Sequence, residues 1–183
     1  MLVLAVLVGL VVLGGVIVGA TYNGLVKRRN RIENSWAQVD VQLQRRYDLI
    51  PNLVETVKAY AAHEQAVFDQ VTRARADAIA AKGPSEQASA ENVLTGALRS
   101  VFAVAEAYPD LKANENFVAL QSELSATEDK IAYARQFYND TVLAYNTRIQ
   151  TFPALFVVRS MGFAAREYFE ADEGGRGSVK VEF

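Results

Sequence analysis

Cysteine is absent from the 183 residues, and histidine and tryptophan occur once each. Without cysteine there is no disulfide framework, no thiolate zinc site, no iron–sulfur cluster and no thiol nucleophile. A lone histidine, His63, excludes any centre that draws two imidazoles from one chain. The formal net charge of −2 carries no nucleic-acid footprint, and none is expected as a partner. The usual catalytic signatures are missing too. His63-Glu64 is followed by Val67 where a zinc-protease helix needs its second histidine. Tyr60 stands where a Glu-x-x-His di-iron ligand pair needs its glutamate. Gly174-Gly175-Arg176-Gly177 neither follows a strand nor opens a helix, so it reads as a linker rather than a phosphate loop. No enzyme, cofactor or metal site is expected from these residues.

Residues 1–20 also lack something: any charged or polar side chain. As a helix they span about 30 Å, the thickness of a hydrocarbon core. The apolar run exceeds a signal peptide's, and no basic n-region precedes it, which favours a retained membrane anchor over cleavage after Val18-Gly19-Ala20. Gly15 and Gly19 form one GxxxG pair, a weak signal for helix association. Lys27, Arg28, Arg29 and Arg31 follow at once. The positive-inside bias then places the bulk of the chain in the cytoplasm, and the same four residues suit anionic lipid head groups.

Beyond the anchor the sequence has helical periods. Leu25, Ile32, Val39, Arg46, Leu53, Tyr60, Val67 and Ala74 recur every seven residues. Arg29, Trp36, Leu43, Ile50, Val57, Glu64, Val71 and Ala78 form the companion line, so coiled-coil-like packing is expected. These lines predict one helix over about 21–82, kinked but unbroken at Pro51. Further helices are expected over about 86–108, 115–150 and 154–169. The fold class is all-α: a transmembrane helix that continues into a long kinked helix, within an antiparallel up-down bundle of about four helices spanning 21–170. Residues 171–183 read as a flexible tail with a short strand-like end.

Three features of this pattern suggest sites. The first helix is much longer than the second, so a seam of Ile32, Trp36, Val39 and Leu43 is expected to pack against a second copy of the chain. Arg46 and Glu64 occupy seam positions and need buried partners or water. Glu115 or Glu123 is a candidate for Arg46, and Arg135 or Lys130 for Glu64, in pairs that would set helix register. At the C-terminus Val179, Val181 and Phe183 alternate with charged residues, as a docking strand would; a frayed end is the alternative.

Several runs resemble the LemA family. They include Tyr22-Asn23-Gly24-Leu25-Val26, Arg29-Asn30, Trp36, and the stretch from Gln38 to Val54 with its Arg45-Arg46-Tyr47-Asp48-Leu49-Ile50-Pro51-Asn52-Leu53-Val54 core. Leu120-Gln121, Thr127-Glu128, Phe137-Tyr138-Asn139, Tyr145-Asn146 and Phe152-Pro153 continue the likeness. The resemblance implies a bacterial protein with an N-terminal membrane helix and an α-helical bundle, and no enzymatic activity. The resulting expectation is a scaffold or adaptor that self-associates and recruits an unidentified protein at the inner membrane. An accessory to envelope-stress signalling or to a membrane protease, and a membrane-shaping coat, are the alternatives.

Overall fold

The computed structural model describes residues 1–158 and 160–170; the expected docking tail of Val179, Val181 and Phe183 lies outside them. Among the described residues six helices follow in order: α1 (Leu2–Lys58), α2 (Gln65–Ala80), α3 (Pro84–Glu106), α4 (Pro109–Lys112), α5 (Glu115–Gln150) and α6 (Ala154–Val157). Among the described residues there is no strand. The chain divides into two compact units. One comprises Met1–Val39 with Ala134–Glu167; the other comprises Asp40–Tyr133 with the described residues from Tyr168 on.

In the first unit, residues 2–20 of α1 are exposed along their whole length, and burial begins at Thr21 and Leu25. The change follows composition, because the side chains of 2–20 are apolar on every face. Leu25, Ile32, Ser35 and Val39 then form a buried stripe. The hydroxyls of Thr21 and Ser35 donate to the carbonyls of Ile17 and Ile32 at 2.7 and 2.8 Å, which satisfies them inside an apolar setting. On α5 the buried line is Ala134, Tyr138, Thr141, Val142, Tyr145 and Ile149.

The seam expected to meet a second copy is used within the chain. Ile32 and Val39 are buried here, and Leu43 is buried in the second unit. The Trp36 ring meets Tyr138 edge-on at 5.2 Å. Within the first unit α5 covers Trp36 through Tyr138, a cover that the mismatched helix lengths do not suggest.

The helix expected over 154–169 is a single turn, α6. It ends at its C-cap Val158, and four residues further the chain turns at Gly162, whose φ of 73° suits glycine, with the Phe163 amide donating to the Val158 carbonyl at 3.1 Å. The chain then runs back along α5 as an extended strap. Tyr138 and Tyr145 donate their hydroxyls to the carbonyls of Glu167 and Ala164, each at 3.0 Å. Asn146 donates to the Arg166 carbonyl and accepts from the Arg166 amide, both at 2.9 Å. These side chains replace the hydrogen bonds a helix would have supplied.

In the second unit the helix expected over 21–82 is two helices. It runs through Pro51 but stops at Lys58, and α2 starts at Gln65. Residues 59–64 form tight turns closed by bonds such as Ala61 N–H to the Val57 carbonyl at 2.9 Å. Arg75 donates through Nε to the Tyr47 carbonyl at 2.8 Å. Those residues lie nearly equal distances before and after the turn, so α1 and α2 form a helical hairpin. In a single helix they would be about 42 Å apart. The seven-residue lines fail where the hairpin turns, since Tyr60 is exposed and Glu64 half-buried, and resume at Val71, Ala74 and Ala78. Pro84 opens α3, and Glu86 accepts from the Lys82 amide at 3.0 Å. Asn114 caps α5 by accepting from the Phe117 amide at 3.1 Å.

Candidate functional site

Two polar constellations stand out, one in each unit. In the first unit the basic residues after the apolar segment are not four equivalent charges. Lys27, Arg28 and Arg31 line an open groove of about 570 Å³ with Gly24 on the α1 side and Phe137, Asp140, Thr141 and Ala144 on the α5 side. Asp140 offsets part of the charge and leaves the groove net positive. Arg29 turns away, its guanidinium 5.8 Å from the centre of the Phe163 ring, while Arg31 lies 5.6 Å from that of Phe137. Such cation–π contacts fix the orientation of the side chains and leave their charge intact.

The second constellation is buried. Arg46, from the expected register-setting group, is 4% exposed. Its Nη1 lies 3.1 Å from Glu91 and 2.9 Å from Glu128, and its Nη2 donates to Thr95 Oγ1 at 2.7 Å. The partners differ from those expected. Glu123 instead meets the neighbouring Arg45 at 2.6 Å on the surface, a solvated pair worth roughly 0.2–1 kcal/mol. Glu64 ends the hairpin turn at the start of α2, where its carbonyl accepts the Val67 and Phe68 amides. Arg135 is half-buried on α5 in the first unit. His63 is exposed in the hairpin turn.

Sequence reasoning missed the other half of the cluster. The Tyr47 hydroxyl donates to Glu91 Oε1 in a very short contact. Gln87 Nε2 reaches the Tyr47 oxygen at 2.8 Å, the Ala78 carbonyl at 3.0 Å and Glu91 at 3.3 Å. Gln87, Glu91, Leu94, Leu98, Val101 and Ala105 are all buried on α3. Apolar residues alone point instead to a face of Ala90, Leu94, Ala97, Val101, Val104 and Tyr108, of which Ala90, Val104 and Tyr108 are only half-buried; the buried run, spaced by four and three, includes the polar Gln87 and Glu91.

Burial raises the Glu91 carboxyl above its ordinary range, while bonds from Tyr47, Arg46 and Gln87 pull it back. Burial and the facing Glu91 carboxylate push the Tyr47 phenol well above its ordinary value. These bonds join Arg46 and Tyr47 of α1, the Ala78 carbonyl of α2, Gln87, Glu91 and Thr95 of α3 and Glu128 of α5, so the cluster ties the four helices together. It offers no nucleophile activated by a free base. Among the described residues no three His, Asp or Glu side chains gather to hold a metal.

The chain is 25% identical over 180 residues to magnetosome protein MamQ 2 of Paramagnetospirillum magneticum, across 84% of this chain and 66% of that protein. A third of that relative's length therefore has no counterpart in the match. Protein LemA of Metamycoplasma hominis is 26% identical over 155 residues, across 82% of this chain and 69% of its own. Magnetosome protein MamQ of Magnetospirillum gryphiswaldense is 24% identical over 180 residues, across 84% of this chain and 66% of its own. The LemA family pattern itself matches residues 35–183. That stretch takes in the buried Arg46 cluster, the α1–α2 hairpin and all of α5, and the chain belongs to the LemA family.

Proposed function

We propose that this chain is a non-enzymatic, membrane-anchored adaptor of a bacterial inner membrane. Residues 21–183 face the cytoplasm and offer a helical platform to a partner protein. The observation that carries the reading is the composition of α1. Its first 19 residues expose apolar side chains on every face, and the same helix continues without a break into the buried stripe that starts at Leu25. Exposed apolar surface of that extent is unfavourable in water and natural in lipid. An uninterrupted helix passes from one environment to the other with all its backbone hydrogen bonds made.

Orientation follows from Lys27, Arg28, Arg29 and Arg31, which flank the apolar stretch on its C-terminal side. The adaptor role is supported by the buried cluster, whose polar groups are spent on holding helices together. The relatives are named for a family and for a magnetosome rather than for a reaction. Self-association through Ile32, Trp36, Val39 and Leu43 is not part of this reading, because those side chains serve the chain's own packing.

Since the chain has no cysteine, a single Lys112→Cys substitution gives one exposed thiol on α4. A membrane-impermeant maleimide should label it only after lysis, and an alkaline carbonate wash should leave the chain in the membrane fraction. Labelling in intact cells would reverse the orientation. Release by the wash would remove the anchor.

A further inference from the structure

A pair of aromatic rings is exposed beside the apolar stretch. Phe152 and Phe156 are 75% and 76% exposed, and Leu155 between them is 53% exposed. The two rings stand edge to face with centres 6.2 Å apart. All three lie in the first unit, Phe152 on the turn from α5 into α6 and Leu155 and Phe156 on α6 itself.

The pairing of α5 with α1 fixes where this turn sits. Tyr138 meets Trp36, Phe137 meets Arg31, and Ala144 shares a groove with Gly24, Lys27 and Arg28. Higher numbers on α5 thus meet lower numbers on α1. Six residues beyond Ala144, or about 9 Å, α5 ends at Gln150. That end is level with the stretch around Ala20 and Thr21, where the exposed apolar part of α1 gives way to buried positions. The following turn projects Phe152, Leu155 and Phe156 at the border of the apolar segment. Ile17 and Val18 are less exposed than the large apolar side chains before them, at 41% and 38%.

We propose that this turn inserts Phe152, Leu155 and Phe156 into the lipid interface beside α1, giving the chain a second foothold on the bilayer. The inference rests on residues 2–20 being a membrane span. Aromatic and leucine side chains are those that interfacial segments bury at the boundary of headgroups and acyl chains. Lys27, Arg28 and Arg31 stand about 10–16 Å beyond Ala20 along α1. Their long side chains reach back toward the phosphates of the same leaflet. Apolar side chains at the acyl boundary and cations above them match the layering of a lipid surface.

The test uses the full chain reconstituted in vesicles of equimolar phosphatidylethanolamine and phosphatidylglycerol, some of the lipid carrying a doxyl quencher near the headgroup end of the acyl chain. An environment-sensitive fluorophore is attached singly through Leu155→Cys, Leu7→Cys or Lys112→Cys. Labels at 7 and 155 should lose more than half their emission, and the label at 112 essentially none. Quenching at 7 without quenching at 155 overturns the foothold and leaves the anchor standing. No quenching at 7 overturns the anchor and the foothold with it. Adding Phe152→Ser and Phe156→Ser should bring quenching at 155 down to the level at 112 and leave that at 7 unchanged. Undiminished quenching at 155 in that variant overturns the role given to the two rings.

Discussion

The Nε of Arg75 lies 2.8 Å from the backbone oxygen of Tyr47. That oxygen is the acceptor that Pro51, four residues on, leaves without an amide. A proline inside a long helix therefore does not open a hole in its hydrogen bonding. A guanidinium from the other arm of the hairpin fills the gap, so an irregularity of α1 becomes a contact that α2 recognises.

This pairing predicts a coupling. Arg75→Met should lower stability by about 1–2 kcal/mol, the cost of a half-buried carbonyl left without a donor. For a chain of this size that is a fall of several degrees in melting temperature. In a Pro51→Ala background the restored amide takes over the carbonyl, and Arg75→Met should cost much less. Thermal melts of the four full-length chains in one detergent, followed by circular dichroism, give the coupling directly. Equal costs in both backgrounds would show that Arg75 acts through something other than the Tyr47 carbonyl.

A second prediction concerns alkaline pH. The folded chain holds the Tyr47 proton well above the ordinary value of 10.0, whereas the unfolded chain releases it there. Stability contributed by this group is complete below about pH 10 and declines as pH rises further. Burial raises Tyr138 and Tyr145 in the same direction. Tyr47→Phe should therefore make the decline of melting temperature above pH 10 shallower without abolishing it. A decline as steep as in the unsubstituted chain would mean that Tyr47 keeps no proton advantage on folding.

Trp36 supplies the third. It packs edge-on against Tyr138, and such a pair contributes about 0.5–1.5 kcal/mol beyond the area it buries. Trp36→Ala should lower the melting temperature and leave the mass of the detergent-solubilised particle unchanged, as read by mass photometry. A smaller particle that melts at the original temperature would return Trp36 to an interface between copies.

The sequence was most legible where burial and polarity agree. On α5 the apolar line Phe117, Leu120, Leu124, Thr127, Ile131, Ala134, Tyr138, Thr141 and Tyr145 is buried in the structure except at Leu120, which is half-buried. The hairpin at 59–64 was hidden for a physical reason. Ala59, Tyr60, Ala61 and Ala62 form helices well, and α2 resumes the seven-residue phase of α1, so periodicity cannot separate a folded-back helix from a continuous one. Arg46 was visible as a charge on an apolar line. Its partners were not, because choosing Glu91 and Glu128 over Glu115 and Glu123 requires knowing how the helices are set against each other. The strap was hidden because Ala164, Arg166 and Glu167 take their hydrogen bonds from side chains of α5, which no local pattern records.

The strap bears on the turn that precedes it. The turn that carries Phe152, Leu155 and Phe156 leaves α5 at one end, and beyond it Ala164, Arg166 and Glu167 bond back to that same helix. The turn is an arch with both feet on one beam, not a free arm. The entropy of ordering it was lost when the chain folded, so placing its rings against a surface removes little further freedom. What Asn146 and the two tyrosines fix is the height of Phe152 and Phe156 above the end of α5.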